Sequence, residues 1–216
     1  HDNEVNGSTI EFLVDPLNNS YDNFLSGSRI DVGGLVGWAD HYNVDYGYDG
    51  PAILYRNQVG NTEPVIVKGF FNVGGLAGAV TSINNTKVTE NNVKNTLVSG
   101  ERDVGGLVGD STKVSFYDNW VEHVTLQAED YYTHYTNANF GGLIGRALYA
   151  NNVFRNTVNH LTTTNLLQSG TGEVGGLIGS IEQSAWLVDN TVKNSSIISS
   201  AYVGGLIGTT QSTSIE

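Results

Sequence analysis

The amino-acid sequence predicts an all-β protein, a parallel β-solenoid (β-helix) of about six coils with loop inserts. Three observations support this fold class. A Gly-Gly-Leu motif recurs along the chain, an Asn-x-Val motif alternates with it, and the segments around both are rich in Val, Ile, Thr and Tyr. Such residues favour strands, and a repeat with short strands and turns at equivalent places is typical of solenoids. Six coils predict a length of about 29 Å, at ~4.8 Å per coil.

The glycine-rich motif has six copies, whose first glycines stand 29 to 41 residues apart, within the range of solenoid repeats. In the first copy, Val32 and Leu35 are three residues apart and cannot share a face in a regular strand. We therefore expect a sharp bend or bulge at the glycine pair, which lets both side chains point inward. The predicted turn glycines are Gly33, Gly34, Gly74, Gly75, Gly105, Gly106, Gly141, Gly142, Gly175, Gly176, Gly204 and Gly205.

The second motif, Asn-x-Val-x-Asn, predicts a buried column of asparagines. Because side chains alternate along a strand, the first and last residues of the motif are expected to face inward with the valine. A buried amide is costly unless it is hydrogen-bonded, and asparagines stacked about 4.8 Å apart can satisfy one another. The predicted ladder members are Asn3, Asn57, Asn91, Asn119, Asn156 and Asn190.

Two copies of this motif close with histidine instead of asparagine, at His123 and His160. The two residues lie one coil apart, so a stacked pair is predicted. A packed or hydrogen-bonded role is the simpler interpretation. The alternative is a shared metal ion, but the sequence offers no evident third ligand.

The Gly-Leu-[Val/Ala/Ile]-Gly core, from Gly34–Gly37 to Gly205–Gly208, resembles the GLUG-motif repeats of prokaryotic surface proteins. All six copies fit. The resemblance implies a right-handed β-solenoid of the kind that builds adhesins, with a structural or adhesive role and no catalytic residues. Some relatives are immunoglobulin-A-cleaving metallopeptidases, but this chain has no His-Glu-x-x-His motif. The inserts Asp15–Arg29 and Asp40–Leu54 depart from the repeat, within a single predicted domain of residues 1–216.

Composition excludes several classes of function. The net charge of −12 argues against nucleic acid and anionic lipid as partners. No apolar run approaches the ~20 residues of a membrane span, and the absence of cysteine excludes disulfides and thiolate sites. Charged residues are scattered: Glu101, Arg102 and Asp103 are expected to alternate in direction along a strand. We therefore expect no enzyme and no cofactor, with a polysaccharide-degrading β-helix enzyme as the rival.

The loop around Asp45 is the best cation candidate in the sequence. Asp40, Asn43, Asp45 and Asp49 offer oxygen ligands on a glycine-containing segment, as Ca²⁺ prefers. A solvated acidic loop without an ion is the simpler alternative. Asn18 and Asn84 are the candidate N-glycosylation sites because both are expected in accessible inserts or loops, whereas the acceptor Asn194 is expected to be buried.

Function is predicted to be structural: a subunit or segment of an extracellular filament or adhesin stalk. Asn156 lies eleven positions after Gly145, and Asn3 of the next copy lies eleven positions after Gly208 when Glu216 of one copy is joined to His1 of the next. Head-to-tail stacking, or tandem repeats in one longer chain, would preserve the register. Because the chain begins with histidine rather than methionine, we expect a processed chain or an excerpt.

A carbohydrate- or host-binding adhesin module is the alternative function. Tyrosines cluster in two places, where aromatic rings beside carboxylates could pack on sugars. Packing and subunit contact are the competing interpretation of the same residues. The clusters contain Tyr42, Tyr46, Tyr48 and Tyr55, and then Tyr131, Tyr132 and Tyr135.

Overall fold

The structure is a computed structural model that describes residues 2–11, 31–41, 52–129, 138–149, 151–164, 172–183, 185–200 and 202–211. These residues are all-β and contain no helix. Accordingly, no helix in the described ranges could cross a membrane. Valine, isoleucine and threonine occupy many of the strand positions, as their β-branched side chains favour.

The strands form four sheets. Sheet 1 contains β1 (Glu4–Val5), β6 (Gln58–Val59), β10 (Asn92–Lys94), β14 (Trp120–Glu122), β19 (Thr157–Asn159) and β24 (Thr191–Lys193). Sheet 2 contains β2 (Thr9–Glu11), β7 (Val65–Lys68), β11 (Thr96–Gly100), β15 (Thr125–Ala128) and β20 (Thr162–Thr164). Sheet 3 contains β3 (Val32–Gly33), β8 (Phe71–Gly74), β12 (Arg102–Gly105), β16 (Ala138–Gly141), β21 (Gly172–Gly175) and β25 (Tyr202–Gly204). Sheet 4 contains β4 (Val36–His41), β5 (Ala52–Tyr55), β9 (Ala77–Thr89), β13 (Val108–Tyr117), β17 (Ile144–Leu148), β18 (Asn151–Phe154), β22 (Ile178–Glu182), β23 (Ala185–Val188) and β26 (Ile207–Gln211).

The chain visits sheets 1 to 4 in order and then returns to sheet 1, and we call each such pass a level. Within the described ranges, the named strands pair in parallel, each with its counterparts in the neighbouring levels. Equivalent motif residues lie opposite one another: Val104 is paired with Val73 on one side and with Phe140 on the other. Stacked parallel sheets of this kind are consistent with the predicted β-solenoid.

The interior is a continuous apolar core between the four sheets. The glycine pair bends the chain between sheet 3 and sheet 4, so that Val104 and Leu107 are both fully buried. Glycine is required there by contact: a Cβ on Gly106 would lie 2.1 Å from the carbonyl oxygen of Gly142 in the next level. The bend expected at this motif is therefore present, and close backbone approach explains it.

One expectation about the Asn-Val motif is wrong. The closing residues of the motif do not face inward with the valine. Asn95, His123, His160 and Asn194 are all exposed, and their φ angles lie between 45° and 53°. This left-handed conformation turns the chain out of sheet 1, so strand alternation ends before the last motif residue. The prediction that Asn194 is buried is wrong for the same reason.

Candidate functional site

The six ladder asparagines form one column along the edge of sheet 1. From Asn3 to Asn156, the backbone N–H and side-chain Nδ2 of each residue both donate to Oδ1 of the next asparagine in the column, at 2.9 to 3.3 Å. The inner members are buried, whereas Asn3 is exposed and Asn190 half-buried. Every Oδ1 inside the column therefore accepts two hydrogen bonds.

The same amides also connect sheet 1 to sheet 4. The Nδ2 group of Asn91 donates to the carbonyl of Leu54 at 3.0 Å, and that of Asn119 donates to the carbonyl of Val88 at 2.9 Å. A left-handed residue precedes each asparagine, such as Glu90 with φ 56° and Asp118 with φ 54°. This turn directs the amide into the corner between the two sheets, where it donates to backbone carbonyls near the ends of sheet 4 strands.

A second column, on the outer turn after sheet 1, brings the two predicted histidines together. The rings of His123 and His160 are stacked, with centroids 4.5 Å apart and planes 15° from parallel. Both are exposed, and they line a shallow depression of about 460 Å³ with Thr125, Thr162 and the segment 194–196. The depression opens between adjacent levels on the surface of the protein.

Glu122 is the third potential ligand that the sequence did not reveal. A carboxylate oxygen of Glu122 and one nitrogen from each of His123 and His160 all lie within 4.8 Å of one another. We call these three residues the His–Glu group. The sequence signal was present but weak, because Glu122 occupies the strand position next to a histidine whose orientation depends on the left-handed turn.

The Glu122 carboxylate is held as an ion by its neighbours. Desolvation acts to raise its pKa, but hydrogen bonds from Asn159 and Trp120 and the charge of Lys94 hold the pKa below its ordinary value. The Nδ2 group of Asn159 donates to Oε1 at 2.8 Å, and the Lys94 ammonium lies 3.4 Å from Oε2. Glu122 therefore presents a negative charge beside the histidine rings.

A group of ion pairs around Asp103 contradicts the prediction that the side chains of Glu101, Arg102 and Asp103 alternate in direction along a strand. Asp103 has φ 52°, so strand alternation fails there, and Nε of Arg102 lies 3.3 Å from Oδ2 of Asp103. Arg146 reaches the same oxygen at 3.7 Å and Asp110 at 3.1 Å. Comparing equivalent positions of the repeat could have found this group, because Asp110 and Arg146 occupy the same position in adjacent levels.

Burial dominates the chemistry of Asp103. The residue is 1 % exposed, and desolvation raises the pKa of its carboxyl to about 6, although Arg146 and Arg102 act to lower it. The Nδ2 group of Asn139 also donates to Oδ1 at 2.6 Å. Asp103 and Asp110 are buried between sheets 3 and 4, whereas the side chains of Arg146 and Arg102 are 19 % and 36 % exposed. The geometry fits a structural ion cluster whose arginines reach the surface.

Several predicted sites fall wholly or partly outside the described ranges. Of the calcium candidates, only Asp40 is described, as an exposed residue of β4; Asn43, Asp45 and Asp49 lie outside. Asn18 also lies outside, whereas Asn84 lies within strand β9 rather than in a loop. Of the clustered tyrosines, Tyr55 is described and is half-buried in β5, and the others lie outside.

The level formed by β24, β25 and β26, which we call the open end, exposes apolar side chains. Val203 and Leu206 are each 46 % exposed, whereas Val174 and Leu177, their equivalents one level earlier, are fully buried. A Cβ on Gly205 would meet nothing within 4 Å, while at Gly176 it would lie 2.2 Å from a carbonyl oxygen. Among the described residues, nothing covers this surface.

Comparisons of the chain with protein-family models, with curated proteins and with solved structures gave no match. Function is therefore inferred from the geometry of the chain itself.

Proposed function

We propose that this chain is a structural segment of an extracellular filament or adhesin stalk, and that copies of it stack head to tail. The proposed unit is a right-handed β-solenoid of about six coils. The resemblance of its Gly-Leu-x-Gly cores to GLUG repeats supports the extracellular location and the handedness. The exposed core of the open end carries the proposal.

The open end has the shape of an interior surface. Its apolar side chains continue the columns that are buried one level earlier, as the difference between Leu206 and Leu177 illustrates. An uncovered solenoid end also presents unpaired backbone groups, which favour pairing with another strand. A further level in the same register would cover both the apolar side chains and the edges of β24, β25 and β26.

The asparagine ladder is complementary between the two ends of the described structure. At Asn156, the backbone N–H and the amide both donate to Oδ1 of Asn190, at 3.0 Å each. Asn190 has the same two donors, and no described residue provides the next Oδ1. At the opposite end, Asn3 donates to Asn57, and its own Oδ1 accepts from no described residue. Stacking of two copies would place Oδ1 of Asn3 over the donors of Asn190.

A Gly205→Ala substitution tests the stacking while sparing the subunit. Its Cβ meets nothing within 4 Å in the single chain, but a stacked copy would bring a carbonyl oxygen to about 2.2 Å, as at Gly176. We expect the purified chain to form fibres in electron micrographs and to run near 23.2 kDa on a denaturing gel. The Gly205→Ala chain should melt at an unchanged temperature and form no fibres.

Gly172→Ala is the matched control. The nearest atom to a Cβ at Gly172 lies at 3.6 Å, which is an ordinary contact, so both folding and fibre formation should persist. The proposal is wrong if the unmodified chain stays monomeric at high concentration, or if Gly205→Ala fibres form as readily as those of the Gly172→Ala control.

A further inference from the structure

We propose that the His–Glu group binds one divalent transition-metal ion, with Zn²⁺ as the reference ion. Two imidazole nitrogens and one carboxylate oxygen form a common donor set for zinc sites that keep a fourth position for water. Imidazole also suits Cu²⁺ and Ni²⁺, whereas Ca²⁺ prefers an all-oxygen set. This inference does not depend on the filament proposal.

The parallel pairing of sheet 1 brings the donors together. Trp120, Val121 and Glu122 of β14 lie in register with Thr157, Val158 and Asn159 of β19, so the residues that follow, His123 and His160, occupy equivalent positions. Their rings face each other at 4.5 Å. A tetrahedral Zn²⁺ with bonds near 2.0 to 2.1 Å separates its ligand atoms by about 3.4 Å. The donor atoms already lie within 4.8 Å of one another. An imidazole nitrogen binds a metal in the plane of its ring, so at least one of the two stacked, exposed rings must rotate out of the stack to direct its nitrogen at the shared ion.

The ring nitrogens of His123 and His160 are available for ligation. No described residue forms a hydrogen bond with either ring; only their backbone N–H groups donate, at 3.1 and 3.2 Å. The asparagines at the same turn position in other levels behave differently. Asn95 donates from Nδ2 to the carbonyl of Gly60 at 3.1 Å, and Asn194 donates to Oδ1 of Asn159 at 3.0 Å. At this turn, histidine therefore replaces an amide that is hydrogen-bonded within the fold by an imidazole whose nitrogens are available to bind a metal ion.

Charge and space both favour a cation. The net charge of −12 raises the local concentration of cations, and a carboxylate oxygen of Glu122 lies within 4.8 Å of a nitrogen of each ring. The depression of about 460 Å³ leaves room for a metal-bound water. Lys94 opposes binding, because its ammonium lies 3.4 Å from the Glu122 carboxylate and must give up part of that contact.

Zinc titration of the full chain by calorimetry at pH 7.5 tests the site. We expect one equivalent of Zn²⁺ to bind and to raise the melting temperature. His123→Asn and His160→Asn should each weaken binding at least tenfold. Asparagine is the residue at the equivalent turn in Asn95 and Asn194, so it accommodates the left-handed backbone, and both variants should fold. His41→Asn and His134→Asn are the matched controls and should bind zinc as the unmodified chain does.

Two further variants test the role of the carboxylate. Glu122→Gln keeps the shape of the side chain and should weaken zinc binding severalfold, whereas Lys94→Gln removes the competing cation and should strengthen it. The proposal is overturned if the unmodified chain binds no zinc at millimolar concentration. It is also overturned if His123→Asn and His160→Asn bind as tightly as the controls, or if a control variant loses binding instead.

Discussion

At the scale of single residues, the tightest constraint is the approach of one backbone to the next at the glycine bend. A Cβ on Gly75 would lie 2.2 Å from the carbonyl oxygen of Gly106 and 2.8 Å from the Val93 side chain. Neither neighbour can retreat, because the carbonyl belongs to the bend of the adjacent level and the valine is fully buried. The repeated glycine is thus explained by the stacking of levels.

Gly75→Ala should destabilise the fold by about 3 kcal/mol or more, because an added methyl group in a filled interior forces the backbone apart. Denaturant unfolding measures this change. Gly205→Ala occupies the same motif position without a neighbour within 4 Å, and its free energy of unfolding should match that of the unmodified chain. Equal losses in the two variants would mean that conformational freedom, rather than close approach, selects glycine here.

Asn91→Leu should cost about 3 kcal/mol, because it leaves several buried polar groups unpaired. The Oδ1 atom of Asn91 accepts from the backbone N–H and the amide of Asn57, at 3.0 and 2.9 Å. Its amide donates to Leu54 and Asn119, at 3.0 Å each. Asn3→Leu is the control, because Asn3 is exposed and water can replace its partners. A melting temperature for Asn91→Leu at or above that of Asn3→Leu would contradict the role of the ladder.

At the scale of elements, the sequence predicted the features that repeat and missed those set by single turns. The bend at the glycine pair and the column of first asparagines follow from spacing, since equivalent residues of parallel levels must stack. The outward turn at His123 could not be predicted from alternation, because its φ of 51° ends the strand. The contact between Arg102 and Asp103 was missed for the same reason.

Sheets 3 and 4 are joined by the group of ion pairs around Asp103, which gives the fold a pH dependence. Desolvation raises the pKa of Asp103 to about 6 from its ordinary 3.8, so the folded state binds this proton more tightly than the unfolded state. The stability contributed by protonation is fully present below pH 3.8 and is lost as the pH rises through about 6. Asp118 is the opposite case, because the hydrogen bond from Arg155 lowers its pKa. The stability that the ionised Asp118 carboxylate contributes is therefore present at neutral pH and is lost only as the pH falls into the acidic range.

Between pH 7 and pH 5, we therefore expect the Asp103 carboxyl to add about 1 kcal/mol to the free energy of unfolding. Asp103→Asn should remove this increment, because an amide does not titrate. Urea unfolding of both chains at the two pH values measures the difference. Asp118→Asn is the matched control and should retain the increment. If Asp103→Asn shows the same pH dependence as the unmodified chain, another group titrates in this range.

At the scale of the whole molecule, stability is shared between neighbouring levels. Each interior level has a partner on both sides, and its core residues, such as Val104 and Leu107, are fully buried. The open end has a partner on one side, and Leu206 remains 46 % exposed. In a stacked architecture of this kind, unfolding begins where a level lacks a neighbour.

Amide hydrogen exchange should therefore vary along the stack, with β10 to β13 exchanging most slowly and β24 to β26 among the fastest. Mass spectrometry of proteolytic fragments resolves this gradient. If copies stack head to tail, assembly should slow exchange at β1 and β2 as well as at β24 to β26, because the contact joins opposite ends. Gly205→Ala should show the same gradient as the unassembled chain without that added protection, whereas Gly172→Ala should gain it. Protection gained in the middle levels would indicate a lateral contact between copies. Protection gained at one end alone would indicate that two copies join by the same end. Either result would contradict head-to-tail stacking.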